Sequence, residues 1–230
     1  MKFIFGFLFA LIVIVIAVPL LLFSYFVSGN PRDLGITYTP ADYSASHQKI
    51  GTEVVPLNSP VSIQKSLQFS GQKESKVALN SSEITAYLNA DKYLYAPLSN
   101  LQVKINPDGT GEISGLLNVK NFITYISLTT PTAEIDRAIE NFHISPNPPF
   151  YAKGTLSVVN NVVDFNIQQL QIGRIPVPQN YVVDNIGALN DYATKKLNSI
   201  PSLHVRSLTL SESQANLDAT VPEKVMKAEK

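Results

Sequence analysis

The sequence predicts an α+β fold behind an apolar amino-terminal helix, and three observations carry that expectation. Residues 3–27 contain no charge. Three later stretches alternate apolar and polar residues on both sides of a turn, as antiparallel hairpins do. Between and before them lie segments with apolar residues at steps of three and four, the helical period. Antiparallel strands interrupted by helices give an antiparallel sheet packed on one long helix and shorter helices.

The amino-terminal run comes first. From Phe3 to Val27 it exceeds the roughly 20 residues a helix needs to cross a bilayer core, and it is longer than the apolar stretch of a cleaved signal peptide. Tyr25 and Phe26 close it with interfacial aromatics. Lys2 precedes it, and Arg32 with Asp33 follows. The positive-inside rule then sets the amino terminus in the cytoplasm and the remainder outside, at the plasma membrane. Val27-Ser28-Gly29 also offers small residues to a signal peptidase, so a released product is the competing expectation.

Residues 1–28 are thus read as an anchor, 29–60 as a linker rich in Pro, Ser and Asn, 61–222 as the extracytoplasmic domain, and 223–230 as a frayed tail. Within the linker, residues 39–51 suit a short helix capped by Thr39 with Pro40 in its first turn. "VSIQKSLQF" (61–69) alternates and reads as a strand. "NSSEITAYLNADKYL" follows as a helix, with Asn80 and Glu83 spaced as a capping box.

Hairpins are expected about "NPDGTG", Asn160-Asn161 and "SESQ". Asparagine tolerates the left-handed backbone that two-residue turns require. The long helix runs over 179–199, with Val182, Ile186, Leu189, Ala193 and Leu197 on one face. Within residues 120–143, "NFITYI" fits strand or helix, and "TAEIDRAIENF" reads as a helix capped by Thr132. "QIGRIPVPQNYV" reads as a strand end and a rigid elbow, with Ile175 and Val177 tucked beneath the helix.

Chemistry is less evident. The chain has no cysteine and no net charge, which excludes thiol catalysis and argues against nucleic acid as a partner. It carries no nucleophile elbow, zinc-protease motif, P-loop or dinucleotide fingerprint. His47, His143 and His204 are far apart in sequence. Asp108 and Glu112 lie near glycines but lack the other acidic positions of a calcium loop. The expectation is a non-enzyme with no metal or cofactor.

The aliphatic surplus of the second hairpin is the stronger signal. Val158 stands beside Val159, and Val162 beside Val163, so both faces are apolar near the turn. Either the second face is covered, or the hairpin offers a groove or tip to acyl chains or a membrane. Val158, Val163, Phe165 and Ile167 from the sheet, with Ile186 and Leu189 from the helix, are the candidate apolar-ligand residues. The alternative is an envelope scaffold or assembly protein that binds another protein through sheet edges or this hairpin. A hydrolase of envelope polymers would need a cluster of acidic or histidine side chains.

The second hairpin, the phrase "IGRIPVP", the long helix and a last hairpin with "LTLSESQANLDATVP" together resemble the carboxy-terminal half of the YpmS-like family of single-pass bacterial membrane proteins. Over residues 80–222 the layout is also similar to tubular lipid-binding (TULIP) domains. The resemblance implies a highly curved sheet and a long helix lining an apolar groove, and lipid as the ligand. It offers no catalytic residue.

Overall fold

The computed structural model describes residues 29–57, 62–90, 93–122 and 145–229. The expected anchor and most of the ambiguous 120–143 segment, His143 included, lie outside these residues. Among the described residues no helix is long and apolar enough to cross a membrane.

The described chain is α+β, as the hairpin pattern predicts. In order it forms α1 (Pro40–Ile50), β1 (Glu53–Pro56), a 3-10 turn (Ile63–Lys65), β2 (Leu67–Ser70), β3 (Lys73–Asn80) and α2 (Ser81–Asn89). Then come β4 (Leu98–Ile105), β5 (Gly111–Leu117), β6 (Pro149–Val159), β7 (Val162–Ile172) and the short β8 (Ile175–Pro176). The chain closes with α3 (Gln179–Asn198), β9 (His204–Ser211), β10 (Gln214–Val221) and β11 (Lys224–Lys227).

Local chemistry fixes the helix starts. Thr39 and Asp42 form a reciprocal capping box at α1, with Pro40 in the first turn, and Gly51 ends the helix at φ +72°. Asn80 and Glu83 do the same for α2. Each box satisfies amide donors that helix geometry leaves without partners.

The main sheet forks. β6 pairs with β7 along its length. On its other side it pairs with β5 up to Gly154, then with β9 at Val158 and Val159. A register shift between Lys153 and Gly154 marks the exchange. At the fork Gly154 lies so close to β7 that a Cβ there would stand 2.1 Å from the Asn166 carbonyl oxygen. One arm continues from β5 to β4, the other from β9 through β10 to β3. α2 starts where β3 ends and packs against both β3 and β4, so it bridges the ends of the two arms. Leu79, Ile84, Ile105, Ile113, Leu156 and Leu208 belong to one apolar cluster within.

Two edges are sealed by helix side chains. Along β4, Ser81 Oγ accepts from the Ile105 amide at 2.9 Å, and Thr85 Oγ1 from the Val103 amide at 3.0 Å. Asn89 accepts from the Leu101 amide at 2.9 Å and donates to its carbonyl at 2.7 Å. Along β7, Asn190 Oδ1 accepts from Phe165 and Thr194 Oγ1 from Val163, each at 3.0 Å. Residues four apart on a helix share a face, and alternate strand residues share an edge, so the two periods can mesh. These bonds supply partners that an open strand edge lacks.

Four expectations are corrected. The strand expected at 61–69 is a 3-10 turn followed by the four-residue β2; the Ser66 hydroxyl donates to Ile63 O at 2.6 Å and lies 2.6 Å from Tyr93 Oη. The linker 29–60 is not a loose tether: the helix expected within it packs as α1, and an unforeseen strand, β1, follows. α1 docks on α2 through Lys49 Nζ, 2.7 Å from Glu83, and through buried Ile50. The frayed tail at 223–230 contains β11, the middle strand of a second sheet. It lies parallel to β1 and antiparallel to β2, with Val225 and Ala228 buried. Val177 tucks in as expected, but Ile175 is 38% exposed. Gly173 and Arg174 both take positive φ, and this tight turn reverses the chain so that Ile175 pairs outward with Ile172.

Candidate binding cleft

The six residues expected to line an apolar groove come together in one cluster. Val158, Val163, Phe165, Ile167 and Leu189 are each at most 4% exposed, and Ile186 packs against them from α3. Phe165 and Ile167 border a cavity of about 20 Å³ at the sheet fork. That volume holds one water molecule. For an acyl chain to reach these side chains, α3 would have to lift from β7.

The two apolar faces near the hairpin turn separate cleanly. Val158 and Val163 are paired and face the core, whereas Val159 and Val162 are paired and 55% and 59% exposed. The turn between them is rigidly held. Asn160 and Asn161 both have positive φ, the Asn161 side chain accepts from the Val205 amide at 2.6 Å, and its amide group donates to Asn198 at 3.1 Å.

A larger opening lies at the other end of the same hairpin. There a cleft of about 510 Å³ runs between residues 31–33 of the amino-terminal strap and residues 149–151 of β6, with Gln171 and Arg174 completing the wall. This volume falls in the range of small-molecule sites, about 300–1,000 Å³. The strap is held in place: the Leu34 amide donates to Gln102 Oε1 at 2.7 Å, and the Ser82 hydroxyl to Thr37 O at 2.8 Å.

Electrostatics give the cleft its character. The Arg32 guanidinium stacks over the Tyr151 ring at 4.2 Å, a cation–π contact. Arg174 reaches back to Asn30 O at 3.4 Å. Among the described residues, neither guanidinium is paired with a carboxylate. Asp33 also lines the cleft, but its carboxylate accepts from the Gly35 amide at 2.8 Å. That bond, with a further one to Gln102, holds Asp33 below the usual carboxylate range.

Tyr151 couples the cleft to β5. Its hydroxyl donates to Glu112 Oε2 at 2.8 Å. Burial, then the hydrogen bond and charge of Glu112, push the phenol up to about 12 against the pull of Arg32. Burial alone would raise Glu112, but bonds from Asn106 and Tyr151, with Lys104 and Lys153 nearby, bring its carboxyl below the ordinary value. The phenol therefore stays protonated and serves Arg32 as a platform.

Other candidates fall away from any shared site. His47 packs edge-on against Tyr43 at 4.7 Å and beside Tyr87 at 5.4 Å. His204 is exposed on β9. The Asp108 carboxylate turns into its own hairpin and accepts from the Thr110 amide and hydroxyl at 2.9 and 2.7 Å. In sequence Arg32 stands out only as a charge after the apolar run, and no motif singles out Tyr151 or Arg174 as site residues. A signal was present in "IGRI": a tight turn that favours Gly or Asn carries an arginine. Comparison with protein-family models, with curated proteins and with solved structures finds no match to this chain.

Proposed function

We propose that this chain is a non-enzymatic, membrane-tethered extracytoplasmic module that binds a lipid, with its seat in the cleft at the tethered end. The observation that carries this reading is the position of the cleft in the chain. Its wall begins at residue 31, four residues after the uncharged run ends at Val27. Four extended residues span at most about 14 Å. If residues 3–27 cross a plasma membrane with the amino terminus inside, the cleft opens within that distance of the outer lipid surface.

Exposed apolar groups support the same orientation. Ile175, beside Arg174, is 38% exposed, and Val183, in the second turn of the helix that leaves this end, is 60% exposed. Cationic and apolar side chains side by side suit the boundary between headgroups and acyl chains. The resemblance to YpmS-like and TULIP proteins points toward a lipid as well, although the six residues expected to line a groove are packed together here.

The test is native mass spectrometry of the full chain extracted from membranes in mild detergent. Retained lipid of defined mass is expected. A protein that carries none, and takes up none from lipid-doped micelles, overturns the reading.

A second reading, an envelope assembly protein, is favoured by the Val159–Val162 pair. β6 has 11 residues and spans about 36 Å, so this rigid apolar tip stands far from the cleft. A photocrosslinker at Val162 would give one recurrent protein adduct on that reading, and none if the lipid seat alone is used.

A further inference from the structure

We propose that the cleft is an anion site, in which Arg32 and Arg174 jointly hold a phosphate-bearing group. The inference rests on the lipid reading for its setting and adds the chemistry of what is held.

Four features of the cleft lead there. Two guanidiniums face one carboxylate, and that carboxylate is already engaged by the Gly35 amide. Among the described residues, neither guanidinium has a carboxylate partner. Guanidinium is planar, permanently charged and weakly hydrated, and its paired N–H groups match phosphate oxygens. Arg32 is oriented by its stack on Tyr151 at 4.2 Å, and the Glu112 bond at 2.8 Å fixes that phenol in turn. A preoriented arginine loses less side-chain freedom when it binds.

The fourth feature is the backbone at Arg174, at φ +67°. Residues other than glycine avoid this region, and asparagine is the usual substitute. The neighbouring hairpin uses Asn160-Asn161 for the same geometry. This tight turn sets the Arg174 side chain at the cleft wall, opposite the strap that carries Arg32. Gln171 adds an amide that can donate to a phosphate oxygen or to a headgroup hydroxyl.

The charge balance excludes a strongly basic nucleic-acid groove, since two arginines neutralise one or two phosphates and no more. A single phosphate group can come from an anionic lipid headgroup or from a free soluble phosphate. The cleft volume of about 510 Å³ accommodates either.

The experiment uses the full chain in dodecylmaltoside micelles, read by native mass spectrometry and by the shift in melting temperature. Three probes are added separately: phosphatidylglycerol, phosphatidylcholine and inorganic phosphate. Expected is retention of phosphatidylglycerol, reduced at least tenfold in the Arg32→Gln/Arg174→Gln double variant and largely restored in Arg32→Lys/Arg174→Lys. Both arginines are exposed, so these variants keep the fold. An unchanged circular dichroism spectrum checks this, and each single Gln variant serves if the double does not.

Binding of inorganic phosphate without phosphatidylglycerol, lost in the Gln variants, supports the anion site and names a soluble source. Equal retention of phosphatidylglycerol by wild type and Gln variants overturns the site. Retention of phosphatidylcholine alone overturns it too, but leaves the lipid reading standing. If no lipid and no phosphate is retained, both fall.

Discussion

Replacing Thr85 by valine tests whether helix side chains hold the β4 edge. Thr85 is fully buried. Its hydroxyl accepts from the Val103 amide at 3.0 Å and donates to the Val103 carbonyl at 3.3 Å. Valine keeps the branched shape and removes both bonds. A buried backbone group without a partner costs about 1–3 kcal/mol. Two such groups cost about 2–6 kcal/mol, offset by about 0.8 kcal/mol for the added apolar group. The expected loss is about 1–5 kcal/mol. Urea unfolding of the full chain in detergent, followed by tyrosine fluorescence because the chain has no tryptophan, reports it. With a slope near 2 kcal/mol/M, the midpoint falls by about 0.5–2.5 M. Thr85→Ser, which restores the hydroxyl, recovers most of this. A Thr85→Val loss under about 0.5 kcal/mol, or a serine variant no better than valine, would refute the claim that the edge depends on these bonds.

Other positions give sharper or complementary readings. Gly154→Ala sets a Cβ 2.1 Å from the Asn166 carbonyl oxygen and pries β6 from β7 at the fork; a loss above about 3 kcal/mol is expected in the same urea assay. Asn161→Ala removes the bonds to Val205 and Asn198 and sets alanine at φ +63°, so a loss of about 2–4 kcal/mol is expected, with faster amide exchange at Val205. Glu112 titrates below its ordinary value of 4.5 in the folded chain. Its contribution to stability is therefore present above about pH 4.5 and is lost as pH falls through the lower folded value; carbon NMR should show that midpoint, and Glu112→Gln should flatten the acid limb of stability against pH. In the same variant Tyr151 should titrate lower than its value of about 12, because burial, the larger cause, remains but the Glu112 carboxylate's share of the rise is gone.

What the sequence made legible is what local chemistry decides. Asn160-Asn161 marks a two-residue turn because few residues tolerate two successive positive φ values. Thr39 before Pro40, and the capping box of Asn80 with Glu83, mark helix starts because these signals lie within a few consecutive positions. The apolar face of α3 follows from its 3.6-residue period. The 61–69 segment misled because alternation also arises by chance over a few residues, and the Ser66 bonds that fold the chain into a turn connect to Tyr93, 27 residues on. β11 was hidden for a related reason. "KVMK" has little to mark it as a strand, and its pairing partners lie more than a hundred residues earlier. Arg32 and Arg174 are separated by most of the chain, so their shared cleft exists only once the strap crosses the base of the β6–β7 hairpin.

The sealed edges also decide how a partner protein could dock. Strand addition needs free amides and carbonyls along an edge. On β4 the amides of residues 101, 103 and 105 already donate to Asn89, Thr85 and Ser81. On β7 those of residues 163 and 165 donate to Thr194 and Asn190. An incoming strand would have to displace α2 or α3 and expose the apolar face each helix covers. Burial of Leu189, Ala193 and Leu197 alone, at about 1–3 kcal/mol for each larger side chain, opposes this on the α3 side. Of the two surfaces proposed for an assembly role, the hairpin tip is therefore favoured over these edges. A partner that docks at Val159 and Val162 should leave hydrogen exchange at the Val103 and Val163 amides unchanged. Loss of protection at either amide on partner binding would show that a helix had been displaced and that the edge is the docking surface after all.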